Sequence, residues 1–146
     1  MRGIYVHVPF CVRKCGYCDF YSIAGGEESR DGFPSLVERE MELLLRSYPG
    51  EADVPSDTVY FGGGTPTVLG PDPLCRLLSA VRSRFPVAEG AEISVEANPG
   101  TVTGDEFARL REGGFNRVSL GVQSFRPETL SALGRIHTVE EVRAAY

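Results

Sequence analysis

Ile4-Tyr5-Val6-His7-Val8-Pro9-Phe10-Cys11-Val12-Arg13-Lys14-Cys15-Gly16-Tyr17-Cys18 is the stretch from which the rest of the chain can be organised. Residues 4–8 carry β-branched side chains at alternate positions, the pattern of a strand. Pro9 has no N–H to continue a ladder, so the strand gives way to a loop that carries three cysteines.

Working outward, strand, loop and helix recur. Residues 35–48 place Leu36, Val37, Met41, Leu44 and Leu45 at helical spacing. A second strand, 58–61, runs into Gly62-Gly63-Gly64-Thr65-Pro66, and a helix follows over 73–85. A third strand, 93–97, ends in Asn98-Pro99-Gly100. Thr103 and Glu106 form a capping box for a third helix, which stops near Gly113-Gly114. A fourth strand, 117–121, ends in Val122-Gln123-Ser124-Phe125. A short helix over 127–133 follows, and Thr138 with Glu141 caps a last one. Gly25-Gly26-Glu27-Glu28-Ser29-Arg30-Asp31-Gly32 is polar and glycine-rich and is expected to be a mobile loop.

This alternation predicts an α/β fold with a parallel sheet. Each distinctive cluster falls just past a strand's C-terminal end, the edge that carries the active site in α/β barrels. About four βα units are too few to close a barrel. The expected architecture is therefore the N-terminal portion of a partial (β/α) TIM-like barrel. Residues 1–146 would be one core domain of a longer protein, with the fourth strand as an open edge.

Hydrophobic residues make up 42% of the chain and charged residues 24%, ordinary values for a globular domain. A net charge of -5 argues against a nucleic-acid surface, which is normally basic. No apolar run of about 18 residues is present, so no membrane span is expected. Met1-Arg2-Gly3 leads directly into the first strand, and no signal peptide is expected. The expected compartment is the cytoplasm, where thiols stay reduced and available to metal.

Cys11, Cys15 and Cys18 lie within eight residues, a spacing that speaks for metal rather than disulfides. Three thiolates can hold three irons of a [4Fe-4S] cube and leave the fourth open to bind a small molecule and pass it an electron. The alternative is a zinc site completed by His7, His137 or Cys75. Structural zinc uses paired ligand groups, and the absence of a second pair favours iron–sulfur. Cys75 sits within a stripe of Leu74, Leu77, Leu78, Val81 and Phe85 and is expected to be a small packed residue. Gly16 is expected to let the loop turn tightly, and Tyr17 to cover its solvent side.

The triple glycine either leaves backbone open to a ligand, its amides forming a nest for an anion or carboxylate, or is simply a tight βα turn. The Lys-Ser/Thr ending of a phosphate-binding P-loop is missing. Glu96 and Asn98 end the third strand, and Glu96 suits an ammonium or ribose hydroxyls. Gln123 ends the fourth, and Arg135 suits a carboxylate held bidentately. Tyr5 and His7 share one strand face, with Tyr5 expected to line the cavity and His7 to make a structural hydrogen bond.

The string Tyr5–Phe20, with its cysteine trio, resembles the radical S-adenosylmethionine (SAM) superfamily. It is most similar to the group that holds oxygen-independent coproporphyrinogen III oxidases and radical SAM heme chaperones. Gly62–Pro66, Glu96–Pro99, Val118–Phe125 and Leu133–His137 continue the resemblance over nearly the whole chain. It implies that Cys11, Cys15 and Cys18 ligate a [4Fe-4S] cluster and that Tyr5, Tyr17, Gly63, Gly64, Thr65, Glu96, Gln123 and Arg135 contact SAM. It implies electron delivery by a reductant such as flavodoxin or ferredoxin, cleavage of SAM to a 5′-deoxyadenosyl radical, and heme or a porphyrinogen as further partner.

Two departures divide the group. The oxidases carry a further cysteine two positions after the third ligand, where this chain has Phe20, and a longer extension before the first strand. Both point to heme binding and transfer, with oxidative decarboxylation of coproporphyrinogen III as the alternative.

Overall fold

The computed structural model describes residues 2–24 and 26–146. Its strands in chain order are β1 (Gly3–Val8), β2 (Phe10–Cys11), β3 (Ile23–Ala24), β4 (Ser56–Gly63), β5 (Val87–Ala97) and β6 (Arg117–Leu120). The helices are α1 (Glu27–Ser47), α2 (Pro71–Arg84), α3 (Gly104–Glu112), α4 (Pro127–Ala132) and α5 (Val139–Ala145). Strands β1, β4, β5 and β6 pair in that order, all parallel, as the βαβ pattern requires.

Alternation along each strand sorts the two faces of the sheet. Val6, Val8, Val59, Phe61, Ile93 and Val95 point to one side and are buried. They meet Leu74, Leu77, Leu78 and Val81 of α2, Met41 of α1 and Leu110 of α3 in one core. Phe61 packs edge-on against Phe115, with ring centroids 5.1 Å apart. The opposite face is polar: Tyr5 lies beside Tyr60 in register, their rings stacked at 6.1 Å, and Glu96 lies beside Ser119. A parallel sheet with one apolar and one polar face is the wall of a partial barrel.

Three elements depart from the sequence expectation. The polar stretch expected to be a mobile loop supplies the first turns of α1, which begins at Glu27 rather than near 35; Gly25 lies outside the described residues. Apolar periodicity starts only at Phe33. A tertiary contact anchors that residue, whose ring meets Phe10 edge-on at 5.2 Å. Pro34 lies inside the helix and removes one internal hydrogen bond. Strand β5 begins at Val87, because Val87 pairs with Ser56 before a register shift and only then does regular pairing start at Thr58 and Glu92. The β2–β3 pair, two residues on each side, was not expected.

Candidate functional site

The cysteine loop is closed at its base. Phe10 and Cys11 pair with Ile23 and Ala24, and the Ile23 N–H donates to the Pro9 carbonyl at 2.7 Å. Within the loop the Cys18 N–H donates to the Cys15 carbonyl at 3.2 Å. Cys11 is buried, while Cys15 and Cys18 are half-buried; all are free thiols. Gly16 and Tyr17 make the expected tight turn, but Gly16 has no left-handed φ and a Cβ there would meet nothing within 4 Å, so the turn does not require glycine.

The triple glycine is used by the protein itself. The Gly64 N–H donates to Val8 O at 2.8 Å and the Thr65 N–H to Phe10 O at 2.7 Å, which ties the β4 exit to the cysteine loop. The Gly63 N–H donates to Glu96 Oε2 at 3.1 Å. The expected anion nest is thus filled from within: one amide takes a carboxylate of the chain and two take backbone carbonyls. A Cβ on Gly64 would stand 2.5 Å from Phe10 O, and Gly63 has a φ of 113°. Close approach of two backbones, rather than room for a ligand, requires glycine there.

A chain of side chains links three strand ends. The Arg135 guanidinium donates to Asn98 Oδ1, to Gly121 O at 2.6 Å and to Cys15 Sγ at 3.4 Å. Asn98 Nδ2 donates to Thr65 Oγ1 at 2.8 Å. Thr65 Oγ1 stands 3.7 Å from Cys11 Sγ and donates to it. Arg135 Nε is buried without a partner among the described residues. The Gly134 position abuts the Gly16 backbone, so the loop that brings Arg135 in rests on the cysteine loop.

On the polar face, Tyr60 donates its hydroxyl to Glu96 Oε1 at 2.7 Å. Glu96 is therefore held by Tyr60 on one oxygen and Gly63 on the other. His7 Nε2 lies 2.9 Å from Tyr21 O, a pure acceptor, so Nε2 carries the proton and Nδ1 accepts from the Tyr5 hydroxyl at 3.1 Å. Burial, then the nearby Glu96 charge, raises the Tyr5 pKa; burial and the bond to Glu96 raise that of Tyr60. Both phenols stay protonated donors at neutral pH. Gln123 is in the left-handed region at a φ of 65°, unusual for a side chain of its size.

Of the eleven residues singled out in the sequence, ten line one cavity of about 320 Å³ at the C-terminal edge of the sheet. The size suits a small ligand. Tyr5 is the exception: it is 57% exposed and meets the site indirectly, through its bond to His7 and its stacking on Tyr60. Sequence reasoning missed Tyr60 as the partner of Glu96. Its place between Val59 and Phe61, which alternation puts on the face opposite the core, was the available signal.

No three His, Cys, Asp or Glu side chains among the described residues converge on one point suited to a single metal ion. The ligands a zinc site would need are elsewhere. His7 is tied to Tyr21, His137 is buried with Nε2 3.0 Å from Val122 O, and Cys75 lies on α2 facing Arg109. A cube asks something different of its ligands, since each sulfur takes a separate iron. Three free thiols spread round one cavity fit that demand.

The chain matches the family model of the radical SAM superfamily over residues 5–146, and it belongs to that superfamily, whose members use a [4Fe-4S] cluster and SAM. Among curated relatives it is 43% identical over 144 residues to the heme chaperone HemW of Escherichia coli strain K12, covering 98% of this chain and 37% of that protein. It is 37% identical over 143 residues to an oxygen-independent coproporphyrinogen III oxidase of Bradyrhizobium diazoefficiens, covering 97% of this chain and 31% of the relative. The solved structure of the Escherichia coli coproporphyrinogen III oxidase HemN, a radical SAM enzyme, superposes with a TM-score of 0.87 at 32% identity over 99% of this chain and 33% of that one. The chain thus spans about a third of the length of these relatives. No described helix is long and apolar enough to cross a membrane.

Proposed function

We propose that this chain forms the cluster- and SAM-binding part of a radical SAM heme chaperone, with Cys11, Cys15 and Cys18 as the iron ligands. The observation that carries this reading is the gathering of three free thiols with Glu96, Gln123 and Arg135 on one cavity at the C-terminal sheet edge. When bound, the cluster and SAM supply a single electron and a carbon-centred radical. The chain's part is to bind and orient. Glu96, held by Tyr60 and Gly63, offers its remaining lone pairs to an ammonium or a hydroxyl. Gly63, Gly64 and Thr65 form a wall fixed to the cysteine loop by backbone hydrogen bonds. Tyr17 lines the cavity and is 47% exposed, which suits a cover for the bound group.

Heme handling is favoured over decarboxylation by Phe20. It lines the same cavity at the position where the oxidases carry a further cysteine. A 43% identity to a chaperone, beside 37% to an oxidase, supports the same choice. The second reading, a coproporphyrinogen III oxidase, rests on the 0.87 superposition with HemN.

The test is anaerobic reconstitution with iron and sulfide. The expected product holds a [4Fe-4S] cluster whose electron paramagnetic resonance signal changes on adding SAM. Cys15→Ser abolishes assembly, because a serine oxygen is a poor ligand for this soft site. The full-length protein should bind added heme, and when given coproporphyrinogen III, SAM and reductant should form no protoporphyrinogen; turnover would establish the oxidase instead. One zinc per chain without labile sulfide would defeat both readings.

A further inference from the structure

We propose that Asn98 is a positioning residue that aims two hydrogen-bond donors at the cluster ligands, one at Cys11 through Thr65 and one at Cys15 through Arg135. In this way the end of β5 sets the electron affinity of the centre. The inference rests on the cluster reading above and adds a residue to which that reading gave no role.

Hydrogen-bond polarity fixes the orientation of each group. A guanidinium only donates. The Asn98 atom facing Arg135 must therefore be its oxygen, which leaves Nδ2 facing Thr65 Oγ1 at 2.8 Å. That contact uses a lone pair of the Thr65 hydroxyl, whose single proton remains to be placed. The neighbour that takes it is Cys11 Sγ, 3.7 Å away, a sulfur-range hydrogen bond inside a buried site. On the other arm, one Arg135 nitrogen is occupied by Asn98 and Gly121 O, which turns the other toward Cys15 Sγ at 3.4 Å. Both arms thus end in a donor on sulfur, Thr65 Oγ1 on Cys11 and Arg135 Nη1 on Cys15.

A ligating cysteine is a thiolate and accepts only, so both contacts would be charge-assisted when a cluster is bound. Hydrogen bonds to ligand sulfur stabilise the more negative, reduced cluster and raise its potential. Asn98 touches neither sulfur. It works by fixing which way its neighbours point.

The experiment measures the midpoint potential of the reconstituted chain by EPR-monitored titration, without SAM, in the parent, Thr65→Val, Thr65→Ser, Asn98→Ala and the double variant Thr65→Val/Asn98→Ala. Thr65→Val loses the proton at nearly constant shape and is expected to shift the potential negative, while Thr65→Ser keeps it near the parent. Asn98→Ala also shifts it negative, and by less in the Thr65→Val background, because the two share one donor. Resonance Raman supplies a second readout: the Fe–S(Cys) stretch of the parent moves on transfer to D₂O, and Thr65→Val reduces that movement. If Thr65→Val does not assemble a cluster, the Asn98→Ala potential decides alone. A parent that assembles no cluster defeats the functional reading and this inference with it. Intact clusters with equal potentials, or strictly additive shifts, overturn only the relay.

Discussion

At Gly64 the space a side chain would need is already filled by the Phe10 carbonyl, and backbone cannot give way as a flexible side chain can. Gly64→Ala is expected to cost about 2 kcal/mol, a loss in the range of overpacked sites. That lowers the thermal midpoint by roughly 5–10 °C in a domain of this size. Gly16→Ala is the control, expected within about 0.5 kcal/mol because its Cβ would enter open space. Equal midpoints for the two variants would contradict the assignment.

His137 carries a pH dependence. Burial is the larger cause that lowers its pKa, and Nδ1, which would take the second proton, is buried without a partner among the described residues. The folded state therefore binds fewer protons than the unfolded state below the ordinary histidine value of about 6.5. Its contribution to stability is complete above that pH and is lost as pH falls through the window beneath it. His137→Gln keeps a donor toward Val122 O and should flatten the fall in melting temperature as pH drops below about 6.5. A variant as acid-sensitive as the parent would refute the role.

At the scale of elements, the α3 start is held by a reciprocal capping box: Glu106 N–H donates to Thr103 Oγ1 at 3.3 Å and Thr103 N–H to Glu106 Oε2 at 2.8 Å. Thr103→Ala should destabilise by about 1 kcal/mol in chemical denaturation. Arg109 on α3 also pairs with Asp72 of α2, but that pair is exposed and contributes little. Both capping boxes were legible in the sequence, because the motif and its hydrogen bonds span only three residues. The start of α1 was not: its first turns carry no apolar period, and the contact that anchors the helix comes from Phe10, far back in the chain. The β2–β3 pair was hidden for a similar reason, being too short to show alternation.

For the molecule as a whole, the site ties strand ends that are distant in sequence. Thr65, Asn98, Gly121 and Arg135 follow β4, β5, β6 and α4, and their contacts end on the cysteine loop after β1. A cluster held by that loop should therefore tighten the whole C-terminal edge. Hydrogen exchange is expected to slow on loading not only over 11–24 but also at Gly64, Thr65 and Gly121. Protection confined to the cysteine loop would show that the coupling is absent.

Local spacing was enough to read the order of elements, the parallel sheet, the cysteine trio and the residues at each strand end, since period, capping and ligand spacing are all carried by near neighbours. Direction and contact were not readable that way. That the triple glycine serves two crossing backbones, that Tyr5 stands aside from the cavity, and that Asn98 joins two cysteine arms all depend on groups brought together from different strands. Such meetings are made by the packing of the sheet, and no window along the chain contains both partners.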